Sequence, residues 1–236
     1  MIRDLRKQLK EKYNKERAEH SKRFFKTGKG EYGEWDVFYG LSVPETREIA
    51  KKYILNLNEI QELLDSEIHE ERFAGLLILI SKYEKDDDNE KRKIFDFYLK
   101  NAEKSRINNW DLVDLSCHKI VGDFLLNRER DVLYKLVNGN LWERRIAVVS
   151  CFAFIRNKDF QDILKLSELI ISNKEKHDLI HKAVGWMLRE VGKKDESVLI
   201  SFLDKYLRQM PRTMLRYAIE KLDENLRERY MNGEIE

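Results

Sequence analysis

The chain has 236 residues, with 45 Lys or Arg against 43 Asp or Glu, for a formal net charge of +2. Ten Gly and two Pro are too few for a collagenous or Pro/Gly-rich disordered chain, and a 42% hydrophobic content suffices for a core. The longest nearly apolar stretch, Ile146 to Ile155, is half of what a membrane-spanning helix needs. Met1 to Lys26 is dense in charge and has no apolar h-region, so a cytoplasmic protein without a secretory signal is expected.

Helix is expected throughout. Met1 to Arg23 places Ile2, Leu5, Leu9 and Tyr13 at helical spacing, which predicts an N-terminal helix over about 1–26. Lys26 to Gly40 holds Gly28, Gly30, Gly33 and Gly40 and reads as a loop. Pro44 suits the first turn of a helix through Ile54. Helical patterns recur at Leu57–Leu64, His69–Tyr83, Glu90–Ala102, Trp110–Leu126, Asp131–Val137, Glu143–Phe154, Phe160–Ile171, His177–Val191, Ser197–Met210 and Pro211–Leu222. Asp86-Asp87-Asp88-Asn89 reads as a solvated connection. Cys117 and Cys151 form no CxxC pair and read as buried, reduced thiols.

Charged positions followed by small or apolar residues repeat along the chain. Arg72-Phe73-Ala74-Gly75, Asp111-Leu112-Val113-Asp114, Arg145-Ile146-Ala147-Val148, Lys182-Ala183-Val184-Gly185 and Arg216-Tyr217-Ala218-Ile219 begin 39, 34, 37 and 34 residues apart. This is the period of helical-hairpin solenoids, and the lack of a TPR consensus favours HEAT-like pairs. The expected fold is therefore all-α: one HEAT-like superhelical domain over residues 1–236, presenting one helix of each pair on a concave surface.

Trp110, Trp142 and Trp186 sit near these marks, each with an ionisable neighbour on its own helical face: Asp114, Arg145 and Arg189. Asp111 lies about 100° round the helix from Trp110 and points elsewhere. The competing reading makes each Trp a core residue and Asp114 a surface carboxylate paired with His118. Arg208, Arg212 and Arg216 recur every four residues, Pro211 interrupting, and Lys174, Lys176, Lys182, Arg189, Lys193 and Lys194 add base to the same half. Such a cluster suits phosphate contacts, although an ordinary solvated face competes. His177 and His181 are spaced i, i+4 but lack the Glu and third ligand of a zinc motif, so no metal is expected. No Walker loop, GxGxxG or GxSxG is present, and no cofactor is expected.

Five ordered segments resemble AlkD-type DNA alkylation repair proteins, which are HEAT-like DNA glycosylases. They are Asn109-Trp110-Asp111-Leu112-Val113-Asp114; Leu141-Trp142-Glu143-Arg144-Arg145-Ile146-Ala147; Ala183-Val184-Gly185-Trp186-Met187-Leu188-Arg189-Glu190; Met210 to Glu220; and Phe24 to Gly40. In the last, a glycine is more usual than Trp35. The resemblance spans roughly residues 24 to 220. It implies a concave DNA-binding cleft and hydrolysis of the N-glycosidic bond of N3- or N7-alkylated purines in double-stranded DNA. It places Trp110 and Trp186 as cleft tryptophans, Asp114 as the catalytic carboxylate, and Arg145 and Arg189 on the DNA backbone. The family's basic residue eight positions beyond Arg145 falls on Ala153.

That chemistry suits the residues. An alkylated purine is cationic and already a good leaving group, so no strong general acid is required, unlike a two-carboxylate glycosidase. Asp114 would stabilise the oxocarbenium-like sugar and place water, and the indoles would face the cationic nucleotide. A monomer is expected, since the concave face must stay open. The alternative is a non-catalytic HEAT protein binding damaged or branched DNA, with a protein-binding scaffold third.

Overall fold

A computed structural model describes residues 1–234, which are helical almost throughout. Among them the β pairing is confined to an isolated parallel bridge between Val37 and Ile68. The chain divides into two compact units, Met1–Ser116 and Cys117–Glu236. Both are built from packed helices, so the all-α expectation holds. No helix of the described residues is long and apolar enough to cross a membrane.

The first unit comprises α1 (Ile2–Glu11), α2 (Lys15–Phe24), α3 (Val43–Ala50), α4 (Leu57–Leu64), α5 (His69–Lys85), α6 (Asp88–Glu103) and α7 (Trp110–Cys117), whose final residue belongs to the second unit. The helix starts are legible in the sequence. Ser42 with Glu45 and Asn56 with Glu59 form reciprocal capping boxes, and Asp87 accepts from the backbone N–H groups of Asn89 and Glu90. α5 is the hub and packs on α1, α3, α4 and α6. Its Leu76 and Leu79, with Leu63 of α4, are fully buried, each contributing about 2 kcal/mol of apolar burial. Gly75 lets α4 approach: a Cβ there would lie 3.1 Å from that of Leu63.

The second unit starts with a π-helical turn, His118–Gly122, and continues through α8 (Asp131–Leu136), α9 (Leu141–Ser150), α10 (Phe152–Arg156), α11 (Gln161–Ser172), α12 (Asp178–Lys194), α13 (Glu196–Tyr206), α14 (Arg212–Ala218) and α15 (Glu224–Asn232). Here α12 is the hub, buried along Ile180, Ala183, Val184, Met187, Leu188 and Val191. A Cβ on Gly185 would lie 2.4 Å from the Met214 carbonyl oxygen and 2.5 Å from Tyr217 Cβ. Only glycine therefore admits α14 this closely, and the small residue of that repeat mark is a helix–helix contact.

Four expectations need correction. The N-terminal helix is broken at Lys12–Asn14, because Asn14 caps α2 through the backbone N–H of Arg17. The helix predicted over Trp110–Leu126 changes to π winding at His118, and that over Glu143–Phe154 is divided at Cys151. These two interruptions meet, since a Cβ on Gly122 would lie 2.3 Å from the Ser150 carbonyl oxygen and 2.8 Å from Ala153 Cβ. Finally, α15 follows the last helix expected; Asp223 caps it and Gly233, at φ +81°, ends it. Cys117 and Cys151 are buried and form no disulfide, as expected.

Candidate active site and nucleic-acid contacts

In the first unit the candidate catalytic helix is α7. Trp110 and Asp114 stand one turn apart on it, both half-buried. The Trp110 ring stacks on Phe25, with centroids 5.4 Å apart and planes at 17°, and meets Phe24 edge-on at 5.8 Å. Asn109 begins the helix: its side-chain oxygen accepts from the Trp110 backbone N–H at 2.9 Å.

Asn109 belongs to a buried polar network that holds α7 in place. Asp36 Oδ2 accepts from Asn109 Nδ2 at 3.0 Å and lies 3.1 Å from His69 Nδ1. Asp36 Oδ1 accepts from Arg72 Nη2 at 2.6 Å. The second ring nitrogen of His69 lies 2.8 Å from Asp111 Oδ2. Asp111 thus points inward, away from the Trp110–Asp114 face, as its helical angle predicts.

His69 faces a carboxylate at each nitrogen. A neutral imidazole carries one N–H and would leave one contact unsatisfied, whereas imidazolium donates to both. Burial opposes that charge, but Asp111 and Asp36 outweigh it and push the His69 pKa up to about 9. Phe25 and Phe38 each lie 4.8 Å from the ring and add cation–π attraction. Burial also works against the Asp36 charge, and the hydrogen bond from His69, the Arg72 charge and Asn109 together hold its carboxyl below the usual range. Two carboxylates and two cations balance in this buried cluster, as the cost of burying unpaired charge demands.

The sequence reading missed Asp36, His69, Arg72 and Asn109. They lie too far apart for any spacing signal. The charged run His69-Glu70-Glu71-Arg72 at the start of an otherwise apolar helix was the available hint, and all four are buried. Glu70 accepts from the backbone N–H groups of Tyr39, Gly40 and Leu41, and Glu71 accepts from Arg6. The first turn of α5 therefore fixes the end of the 25–41 loop.

In the second unit Trp186 is half-buried on α12, 6.0 Å from the Phe152 ring. His118 meets Phe152 edge-on at 5.4 Å, and the Arg156 guanidinium lies 4.5 Å over the same ring. Burial, with Arg156 and Lys119 nearby, lowers the His118 pKa to about 4, so this imidazole is neutral. Trp142 is 6% exposed, a core residue, as the competing reading had it.

The four candidate phosphate contacts differ in availability. Arg145 is 5% exposed and its Nη1 donates to the Leu179 carbonyl. Arg189 is paired with Glu220 and lies 3.6 Å from Glu190. Arg212 is exposed and donates to the Met231 carbonyl. Arg216 is exposed on the next turn of α14, with no ion pair among the described residues. Ala153 is buried against Gly122, where the two breaks in helix meet, and that seat admits no long basic side chain. His177 caps α12 through Leu179 N–H, and His181 bonds the Glu175 carbonyl. Among the described residues no three potential ligands gather around a metal position.

The all-helical architecture is consistent with the α-solenoid class of folds. A family model for DNA alkylation repair enzymes matches residues 5–222. The chain belongs to that family, and DNA is its substrate. A solved structure described as a predicted DNA alkylation repair enzyme from Enterococcus faecalis is similar in fold, with a TM-score of 0.70 at 17% identity over 90% of this chain and 97% of that one. No functionally curated protein matches the chain.

Proposed function

We propose that the protein is a monomeric DNA glycosylase that hydrolyses the N-glycosidic bond of N3- or N7-alkylated purines in double-stranded DNA. The observation that carries this reading is the pairing of Trp110 and Asp114 one turn apart on a helix whose start is pinned by a buried, charge-balanced network. Rigid placement matters here, because a carboxylate stabilises developing positive charge best when it need not reorganise.

On this reading the alkylated base departs with the electron pair of its glycosidic bond, which neutralises the cationic purine. The deoxyribose becomes oxocarbenium-like, and Asp114 offsets its charge. Asp114 also accepts a hydrogen bond from the water that adds to C1′, and the water's proton is released to solvent through that contact. Trp110 offers a π-face to the cationic nucleotide, and the same role is proposed for Trp186. Arg189, Arg212 and Arg216 hold phosphates. Arg145 joins them only by exchanging the Leu179 carbonyl for a phosphate oxygen.

The test is release of 7-methylguanine from methylated duplex DNA. Asp114→Asn should slow release by about 10²–10³-fold, the usual loss when one electrostatic stabiliser is removed, while DNA affinity stays within a factor of about three. A wild-type protein that binds DNA but releases no methylated base would instead establish the non-catalytic reading.

A further inference from the structure

We propose that Trp35 is a nucleobase-stacking contact, an indole held out rigidly to insert against a base of the bound duplex. The inference rests on the DNA reading above but not on the glycosylase chemistry. Trp35 is 81% exposed, the most exposed large apolar side chain of the described residues. It also sits at φ +80°, a left-handed conformation that a bulky side chain rarely adopts. Strain of this kind persists only where the surroundings over-determine it, and it marks sites of function.

The surroundings do so on both sides. Two residues before it, Gly33 packs so tightly that a Cβ would lie 2.3 Å from the Phe25 carbonyl oxygen, and its N–H donates to the Lys26 carbonyl. Immediately after it, Asp36 is locked to His69, Arg72 and Asn109, and Val37 N–H donates to the Glu67 carbonyl. The indole therefore hangs on fixed backbone. The same carboxylate that anchors it, through Asn109, anchors the first residue of the Trp110–Asp114 helix.

The loop also carries two exposed amines that can meet phosphate. Glu31 and Glu34 turn their carboxylates onto the loop's own Gly28 and Gly30 N–H groups. Lys26 and Lys29 are exposed and make no ion pair among the described residues. A protruding aromatic on a loop that also carries exposed amines matches the stacking-plus-phosphate design of nucleic-acid contacts, whereas a protein-docking face needs a broader apolar patch.

The experiment compares wild type, Trp35→Gly and Trp35→Phe as full chains. Each is titrated into a duplex carrying a tetrahydrofuran abasic site beside 2-aminopurine, with anisotropy reading affinity and 2-aminopurine emission reading stacking. Glycine prefers φ +80°, so Trp35→Gly should fold with an equal or higher Tm. It should bind about tenfold more weakly, near the low end of what one aromatic–base stack contributes, and should lose the emission change that wild type produces. Trp35→Phe should keep that change and most of the affinity. Unaltered affinity and emission for Trp35→Gly would overturn the proposal, as would wild-type self-association that this variant abolishes, which would give the indole to a second copy. Base release is read separately. A protein that releases no 7-methylguanine yet depends on Trp35 for DNA binding sinks the glycosylase reading and keeps the stacking contact. One that releases base while the Trp35→Gly titration is unchanged does the reverse.

Discussion

At the scale of single residues, the charge on His69 has a measurable consequence. Its pKa is about 9 in the folded protein against 6.5 ordinarily, so the native state holds a proton that the unfolded chain gives up. The resulting stability is complete below about pH 6.5 and is lost as pH rises through about 9. The gap corresponds to on the order of 3 kcal/mol. Urea denaturation should show this decline between pH 6.5 and 9, and a flat or rising profile in that window would mean that His69 is neutral. The other raised groups act higher: burial pushes up the Cys151 thiol and the phenols of Tyr39 and Tyr53, whose ordinary values are 9.0 and 10.0. His69→Phe isolates the imidazolium. It keeps a ring against Phe25 and Phe38 and leaves Asp36 to Arg72 and Asn109, but Asp111 loses its cation, so stability at pH 6.5 should fall by about 3–5 kcal/mol, the usual cost of breaking a buried ion pair. The decline with pH should flatten in that variant.

At the scale of elements, what could be read in the sequence was what is local. Capping boxes at Ser42, Asn56 and Asn140 announce their own helices, because cap and partner lie three residues apart. The Trp110–Asp114 spacing and the turning of Asp111 away from that face likewise follow from helical geometry alone. The π turn did not, because its cause lies elsewhere in the chain. Gly122 is wound out of α register where a Cβ on it would lie 2.3 Å from the Ser150 carbonyl oxygen, at the point where α9 gives way to α10. A lone glycine in a helical pattern signals close approach without naming the partner. The network around His69 was illegible for the same reason, since its members are contributed by residues 36, 69, 72, 109 and 111. Gly122→Ala tests the helix–helix approach. The added methyl meets backbone oxygen at 2.3 Å and cannot be absorbed by a rotamer change, so a loss of about 1–3 kcal/mol is expected. The nearby exposed Glu129→Ala should stay within about 0.5 kcal/mol. Equal stabilities in urea would show that the contact does not set the break.

At the scale of the whole molecule, a net charge of +2 on 236 residues creates little long-range attraction for DNA. Binding must therefore come from particular cations, and counting basic residues in the sequence overstates how many are available. Arg189 is neutralised by Glu220 and Glu190, while Arg216 has no ion pair among the described residues. A cation already paired with a carboxylate releases less counterion when it meets phosphate, because the carboxylate is left behind. Arg216→Ala should therefore reduce the slope of log K against log salt by about 0.9, the value for one phosphate contact. Arg189→Ala should reduce it by less. Glu220→Gln should strengthen binding at low salt by freeing the Arg189 guanidinium, and the additional removal of Arg189 should cancel that gain. Anisotropy titrations of a duplex between about 50 and 200 mM salt read all four variants. If the slope change for Arg189→Ala equals or exceeds that for Arg216→Ala, Arg189 exchanges Glu220 for phosphate at no net loss, and the local ion pairs do not govern which cations grip the backbone.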